Sequence, residues 1–281
     1  MAKVKVITDT GSDLPNEICT SLNISTVPLK IRFGEKEYLD KFELTNEKFW
    51  ELCLKGGDLP QTAAPSAGQF QAAYGEAKAQ GFESVICITL SSELSATYQS
   101  ALIAAKEVQG EIDVTVIDSR CATIGEGSLV IHAAQLAQAD VPYPQIVSEI
   151  NDKVSKVKLF GTLDTLDFLK RGGRIGAAAA LLGSLLSFKP LIEVRSGLVE
   201  PDGRQRTRAK ALAYLRDRVS SFSPISHVGV AHANAPDIDD FIEKLSEQTH
   251  VPIDEITVTS IGPVIGTHAG PRTLGVTFWV D

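Results

Sequence analysis

Two short runs rich in β-branched residues, "SVICIT" at 84–89 and "DVTVID" at 113–118, flank one helical pattern, "SATYQSALIAAKEVQ". That spacing constrains the fold more than any other feature. A connection holding a whole helix does not make a hairpin; it carries the chain back over the sheet and sets the two strands parallel. The alternation begins earlier, with strand-like "KVKVIT" and "STVPLKIRF" and helical "NEKFWELCLK" and "SAGQFQAAYGEAKAQ". In the last of these, Ser66 and Gln69 are spaced as a capping box directly after Pro65, and Gly81 stops the helix. The first half therefore reads as a three-layer α/β/α domain with a parallel sheet.

Past a helical stretch around 143–155 the texture changes. "KPLIEVRSGLVEPDG" reads as a β-hairpin with turns in "SGLVEPDG". There follow a helix "RTRAKALAYLRDRV", a strand "SHVGVAHA", a helix "PDIDDFIEKLSEQ" and the strands "DEITVTSI" and "LGVTFWV". A hairpin mixed with crossover units predicts a second α/β domain with a mixed sheet. We place the domains at 1–155 and 156–281; with 43% apolar residues, 281 residues can furnish two cores.

The net charge of −8 disfavours a nucleic-acid partner. The charge is uneven, however: residues 170–218 hold 11 Lys/Arg against 4 Asp/Glu, leaving the rest of the chain at −15. This local block hints at an anionic partner. The start, "MAKVKVITDT", has neither a long apolar segment nor a small-residue cleavage site, so a cytoplasmic protein is expected. "AAAALLGSLLSF" at 177–188 is too short to span a bilayer, and no integral membrane association is expected. Cys19, Cys53, Cys87 and Cys121 are equally spaced, but their flanks share nothing and no CxxC or Cys/His cluster occurs. They read as buried free thiols, with no metal and no cofactor implied.

Chemistry concentrates at three places. "TLSSELSATYQSA" follows a strand end and opens a helix, where a parallel sheet binds ligands and free amides attract anions, so Ser91, Ser92 and Ser95 surround a candidate anion site. Capping alone would use one of these hydroxyls. In "LPQTAAPSAGQ", Ser66 caps a helix while Thr62 has no structural role legible from sequence. In "IGPVIGTHAGPRTLGV", His268 sits between Gly266 and Gly270 in what reads as a Pro-rich turn. No GxxxxGK[ST], HExxH or GxSxG occurs. A serine hydrolase of acyl esters would need Ser92 or Ser95, His268 and Asp9 to converge. Arg171, Arg174, Arg204, Arg206 and Arg208 cluster around glycine turns, presenting guanidinium groups suited to phosphate or carboxylate.

The order of "TDTGSDLP", "TAAPS", "SSELSATYQSA", "VIDSR", "LKRGGRIG", "KPLIEV" with "RTRAKAL", and "GTHAGPRTLGV" resembles, over the full length, the DegV family of bacterial fatty-acid-binding proteins. The resemblance implies two α/β domains with one long-chain fatty acid in a tunnel between them. It assigns the carboxylate to Thr62, Ser92 and His268, with Ser95 as the alternate serine and Gly266 and Gly270 as the glycine turn. It further implies a separate fatty acid kinase subunit that phosphorylates the bound acid to an acyl-phosphate for phospholipid synthesis. This chain would then be a binding protein, and Arg171, Arg174, Arg204 and Arg206 would face the partner or the phosphate. Ala63, Ala64, Ala96 and Arg272 depart from the family pattern, and Arg272 is expected to add a positive charge beside the carboxylate. Three readings stand at this point: a lipid carrier, a serine hydrolase, and a nucleic-acid-binding regulator resting on the basic block alone.

Overall fold

In the computed structural model, which describes residues 3–55, 60–182 and 188–280, the β-branched runs of the first half line up as parallel strands. Strand β1 (Val4–Asp9) leads through α1 (Asn16–Ser21) to β2 (Ile24–Val27), then to β3 (Lys30–Phe33) and β4 (Lys36–Leu39). After α2 (Asn46–Leu54) and β5 (Gln61–Ala63) come α3 (Ala67–Ala79), β6 (Ser84–Thr89), α4 (Thr97–Glu107), β7 (Asp113–Asp118), α5 (Ile124–Gln138) and α6 (Tyr143–Val154). The parallel sheet has the order β2-β1-β6-β7. Successive strand residues point to opposite faces. Ile7, Val85 and Cys87 therefore meet Phe70, Tyr74 and Ala101 of α3 and α4, while Val6, Ile86 and Ile88 share a core with Leu129, Val130 and Ala133 of α5. Both faces are covered, and every residue of β6 is buried. The capping box at Ser66 and Gln69 is present.

"STVPLKIRF" is not one strand. Pro28 has no N–H for the ladder. The chain leaves the parallel sheet at Val27 and starts β3 in a separate antiparallel sheet, order β4-β3-β5, where Thr62 lies opposite Ile31.

The second sheet is mixed, as the hairpin and crossover units predict. It is built from β8 (Val157–Thr162), which the sequence did not mark as a strand, then, after α7 (Asp167–Arg171), from the hairpin β9 (Lys189–Arg195) and β10 (Leu198–Gln205). Within β10, Pro201 and Gly203 make a bulge rather than a turn. Next come α8 (Arg208–Ser220), β11 (Ile225–His232), α9 (Ile238–Thr249), β12 (Thr257–Ser260), α10 (Pro263–Ala269) and β13 (Leu274–Val280). The strand order is β10-β9-β8-β13-β11-β12, with only β11 and β12 parallel. Phe160, Leu215, Phe241 and Phe278 fill the core beneath α8 and α9. The opposite face looks toward the first sheet, and α5 touches strands of both. Of the small-residue run, 176–181 form a 3-10 turn and 183–187 lie outside the described residues. Cys87 and Cys121 are buried free thiols as expected, whereas Cys19 and Cys53 are only half-buried. No described helix is long and apolar enough to cross a membrane.

Candidate functional site

The segment around His268 is a helix, not a turn. Pro263 occupies the first turn of α10, where its fixed φ and missing N–H are tolerated, and Gly270 ends the helix at φ 80°. Gly266 lies inside it. A Cβ there would stand 3.1 Å from both Phe49 Cε1 and Trp50 Cζ2, so this glycine serves close packing on α2 rather than approach to a ligand. His268 projects from the last turn.

His268 Nε2 is 2.9 Å from Thr62 Oγ1. Its Nδ1 is buried against Gly172, where any Cβ would overlap the ring, and has no hydrogen-bond partner among the described residues. A proton on Nδ1 would be an orphaned donor, which costs more than a lone pair left bare. We therefore assign the proton to Nε2, which donates to Thr62 and leaves the threonine's own proton for a third group. Burial, followed by the charge of Arg174, pushes the imidazole down to about 4, so it is neutral at pH 7.

Arg174 belongs to this site and not to a free docking face. Its Nε donates to Leu94 O at 3.0 Å and its Nη1 to Gly172 O at 2.8 Å, tying the "LKRGGRIG" loop to the serine loop. The three serines of that loop divide their roles. Ser91 is buried and donates to Gly197 O at 2.8 Å, gripping the β9–β10 turn. Ser92 is exposed, and its hydroxyl donates to Asp118 Oδ2, so the structure does not bring it to His268. Ser95 shares a hydrogen bond of 2.9 Å with Thr97 Oγ1 and also lines the cavity beside Ala96.

That cavity has a volume of about 220 Å³ and lies between the second sheet and the first domain. Its inner wall is apolar: Leu90, Leu159, Phe160 and Val264 are buried, and Ile192 and Val194 of β9 add to it. Half-buried Thr62, Ser95, Arg174 and His268 add polar groups to its lining. Four segments distant in sequence thus present hydroxyls, a neutral imidazole and a guanidinium at one place, a set that fits a carboxylate whose hydrocarbon portion lies inside.

A group of buried acids supports the wall; of these the sequence singles out only Asp9, as a candidate triad acid. Asp9 Oδ1 accepts from Gly11 N at 2.8 Å and Oδ2 from Leu90 N at 2.9 Å; Asp13 Oδ1 accepts from Gly262 N at 2.9 Å; Glu126 Oε1 accepts from Thr8 Oγ1 at 2.9 Å. Leu90 and Ile261, which precedes Gly262, both line the cavity. Burial pushes Asp9 up to about 7, Asp13 to about 6 and Asp40 to about 7, and raises Glu126 well above its ordinary value. Asp9 is thus occupied by backbone amides. The Ser–His–Asp convergence that a hydrolase requires is not formed: Ser92 bonds Asp118, Ser95 bonds Thr97, and His268 bonds Thr62. No group of His, Cys, Asp and Glu suited to a metal ion occurs among the described residues.

Much of the basic block is neutralised internally. Lys189 pairs with Asp164, Arg208 with Asp237 and Arg218 with Asp202. Arg272 also reaches Asp164, at 3.5 Å, and does not line the cavity as expected. Arg171 and Arg206 are exposed, and Arg204 is exposed with its guanidinium 5.7 Å from the Phe188 ring centroid.

A family model described as "Uncharacterised protein, DegV family" matches residues 3–281. A DegV domain-containing protein of Deinococcus radiodurans is 36% identical over 277 residues, covering 97% of each chain, and one of Listeria innocua is 33% identical with 98% of each covered. Among solved structures, a fatty-acid-binding DegV family protein from Thermus thermophilus superposes with a TM-score of 0.90 at 30% identity over 100% of both chains. DegV from Bacillus subtilis, described as a fatty acid binding protein, gives 0.86 at 31%, also over 100% of both. A stearic-acid-binding protein from Eubacterium ventriosum gives 0.87 at 26%, over 100% of this chain and 98% of that one.

Proposed function

This chain belongs to the DegV family, and from that premise we propose that it binds one long-chain fatty acid, with the tail inside the apolar cavity and the carboxylate at Thr62, Ser95 and His268. The observation that carries the reading is the Thr62–His268 hydrogen bond in the lining of a mainly apolar cavity. A buried carboxylate must be hydrogen-bonded; with the His268 proton given to Thr62, the threonine's own proton is left for the carboxylate, and the imidazole orients that hydroxyl without adding a buried charge. The division of energy is unequal. About fourteen methylenes at roughly 0.8 kcal/mol each give ~11 kcal/mol in gross terms, against ~1.5–3 kcal/mol for a hydrogen bond to a charged group. The tail supplies affinity and the polar groups fix orientation.

The sequence holds no phosphate-binding loop of its own. We extend the reading to a substrate-presenting role: a separate kinase subunit phosphorylates the carboxylate, and exposed Arg171, Arg204 and Arg206 face that partner. Organic extraction and mass spectrometry of the purified protein test the first step. One equivalent of a long-chain fatty acid is expected; no extracted acid, together with no binding of added palmitate or oleate, rejects the reading.

A further inference from the structure

Gly161 of β8 and Gly275 of β13 lie directly opposite each other in adjacent antiparallel strands, and both line the cavity. Neither has a φ in the left-handed region. A Cβ added to Gly161 would meet nothing closer than Leu274 O at 3.4 Å, and one on Gly275 nothing closer than Phe160 O at 3.5 Å, which are ordinary contact distances. Other glycines differ. At Gly229 a Cβ would lie 2.7 Å from Ile124 Cγ1, and at Gly127 2.9 Å from Ser12 O, so packing within the chain accounts for them. At 161 and 275 neither backbone conformation nor internal packing demands glycine, yet glycine in a strand interior weakens the strand. The two missing side chains make room for something the chain itself does not contain.

The pair sits in a side wall and not at an end. Just before β13, Thr273 lines the cavity on the α10 side of Gly275; along β8, Leu159 lines it two residues from Gly161, and its Cδ1 would be 3.6 Å from a Cβ on Gly275. Full-sized side chains of Ile192 and Val194 flank the gap on β9. A wall feature sets breadth where an end wall sets length. The cavity is therefore broader at Gly161 and Gly275 than beside Leu159, Ile192 and Val194, which suits a chain that is itself broad at mid-length.

We propose that the Gly161–Gly275 pair is a specificity determinant that admits an acyl chain with a mid-chain cis bend. This rests on the fatty-acid reading above. The test measures binding of octadecanoate and cis-octadec-11-enoate, equal in carbon number, to delipidated wild type, G161A, G275A and the double variant. Wild type should bind the bent chain at least as tightly as the straight one. The double variant should weaken the bent chain at least tenfold and the straight chain less than threefold, each single variant falling between, with no fall in Tm. Equal weakening of both chains, no change in either, a wild-type preference for the straight chain, or a lowered Tm in the single variants would each overturn the determinant while leaving fatty-acid binding in place. If wild type binds neither acid, the fatty-acid reading itself falls and takes this one with it.

Discussion

Thr62 Oγ1 and His268 Nε2, separated by 206 residues of sequence, meet at 2.9 Å. β5 carries one and α10 the other, so the bond joins the two halves of the chain in the lining of the cavity.

Removing the imidazole should separate binding from presentation. His268→Ala leaves the apolar wall intact, so fatty-acid affinity should fall by about tenfold or less. Phosphorylation in a kinase-coupled assay should fall further, by ~10²-fold, because an oriented head group is lost. A variant phosphorylated at the wild-type rate would show that His268 has no part in the head-group site.

The titration of His268 follows from its surroundings. Its folded value lies near 4, below the ordinary 6.5. The stability tied to the neutral ring is therefore fully present above pH 6.5 and is lost as pH falls toward 4. NMR of the ligand-free protein should give a midpoint below 5. Arg174→Gln should move it upward but not to 6.5, since burial outweighs the guanidinium charge. A wild-type midpoint near 6.5 would contradict the burial described.

The buried acids titrate in the opposite sense. Asp40 is fully buried, its two oxygens lack hydrogen-bond partners among the described residues, and its folded value is raised to about 7. An acid raised on folding favours the native state below its unfolded value, and that advantage disappears as pH rises through 7. Asp40→Asn should raise Tm by ~2–4 °C at pH 8 and leave it nearly unchanged at pH 4. A Tm lowered at pH 8 would mean that the charge itself is required.

Arg171 and Arg206 test the partner-facing surface. Reversing both to Glu should change fatty-acid affinity less than about twofold while slowing kinase-coupled transfer, and the wild-type rate should fall as salt screens the exposed charges. If the double variant lost its fatty acid but, once reloaded, engaged the kinase normally, these arginines would have no docking role.

Local signals made the parallel sheet, the capped helix at Ser66 and the β9–β10 hairpin legible, because each depends on residues near one another in sequence. α10 was hidden for the same reason. Pro263, Gly266 and Gly270 punctuate a short segment as a turn would, and what makes it a helix is packing against Phe49 and Trp50 from another part of the chain. Thr62 and His268 stand out in their own segments, but their hydrogen bond to each other does not, and the sequence does not distinguish Ser92 from Ser95; Asp118 and Gly197, which hold Ser92 and Ser91, lie outside the serine loop. Arg174 looked like its neighbour Arg171 in sequence; only the fold brings Leu94 O within its reach. The acids at 9, 13, 40 and 126 come from three segments, and nothing in any one of them announces the cluster.

β13 lies between β8 and β11 in the middle of the second sheet, although its residues follow those of all its neighbours in the chain. While a ribosome is still making the protein, β8 with its hairpin and β11 with β12 can form only as separate fragments, each with an open edge awaiting a strand not yet synthesised. The wall that carries Gly275 is missing for the same interval. A nascent chain arrested before residue 274 should therefore stay protease-sensitive after residue 157 and retain no lipid, so that ligand capture waits for β13 rather than accompanying the synthesis of the strands on either side of it.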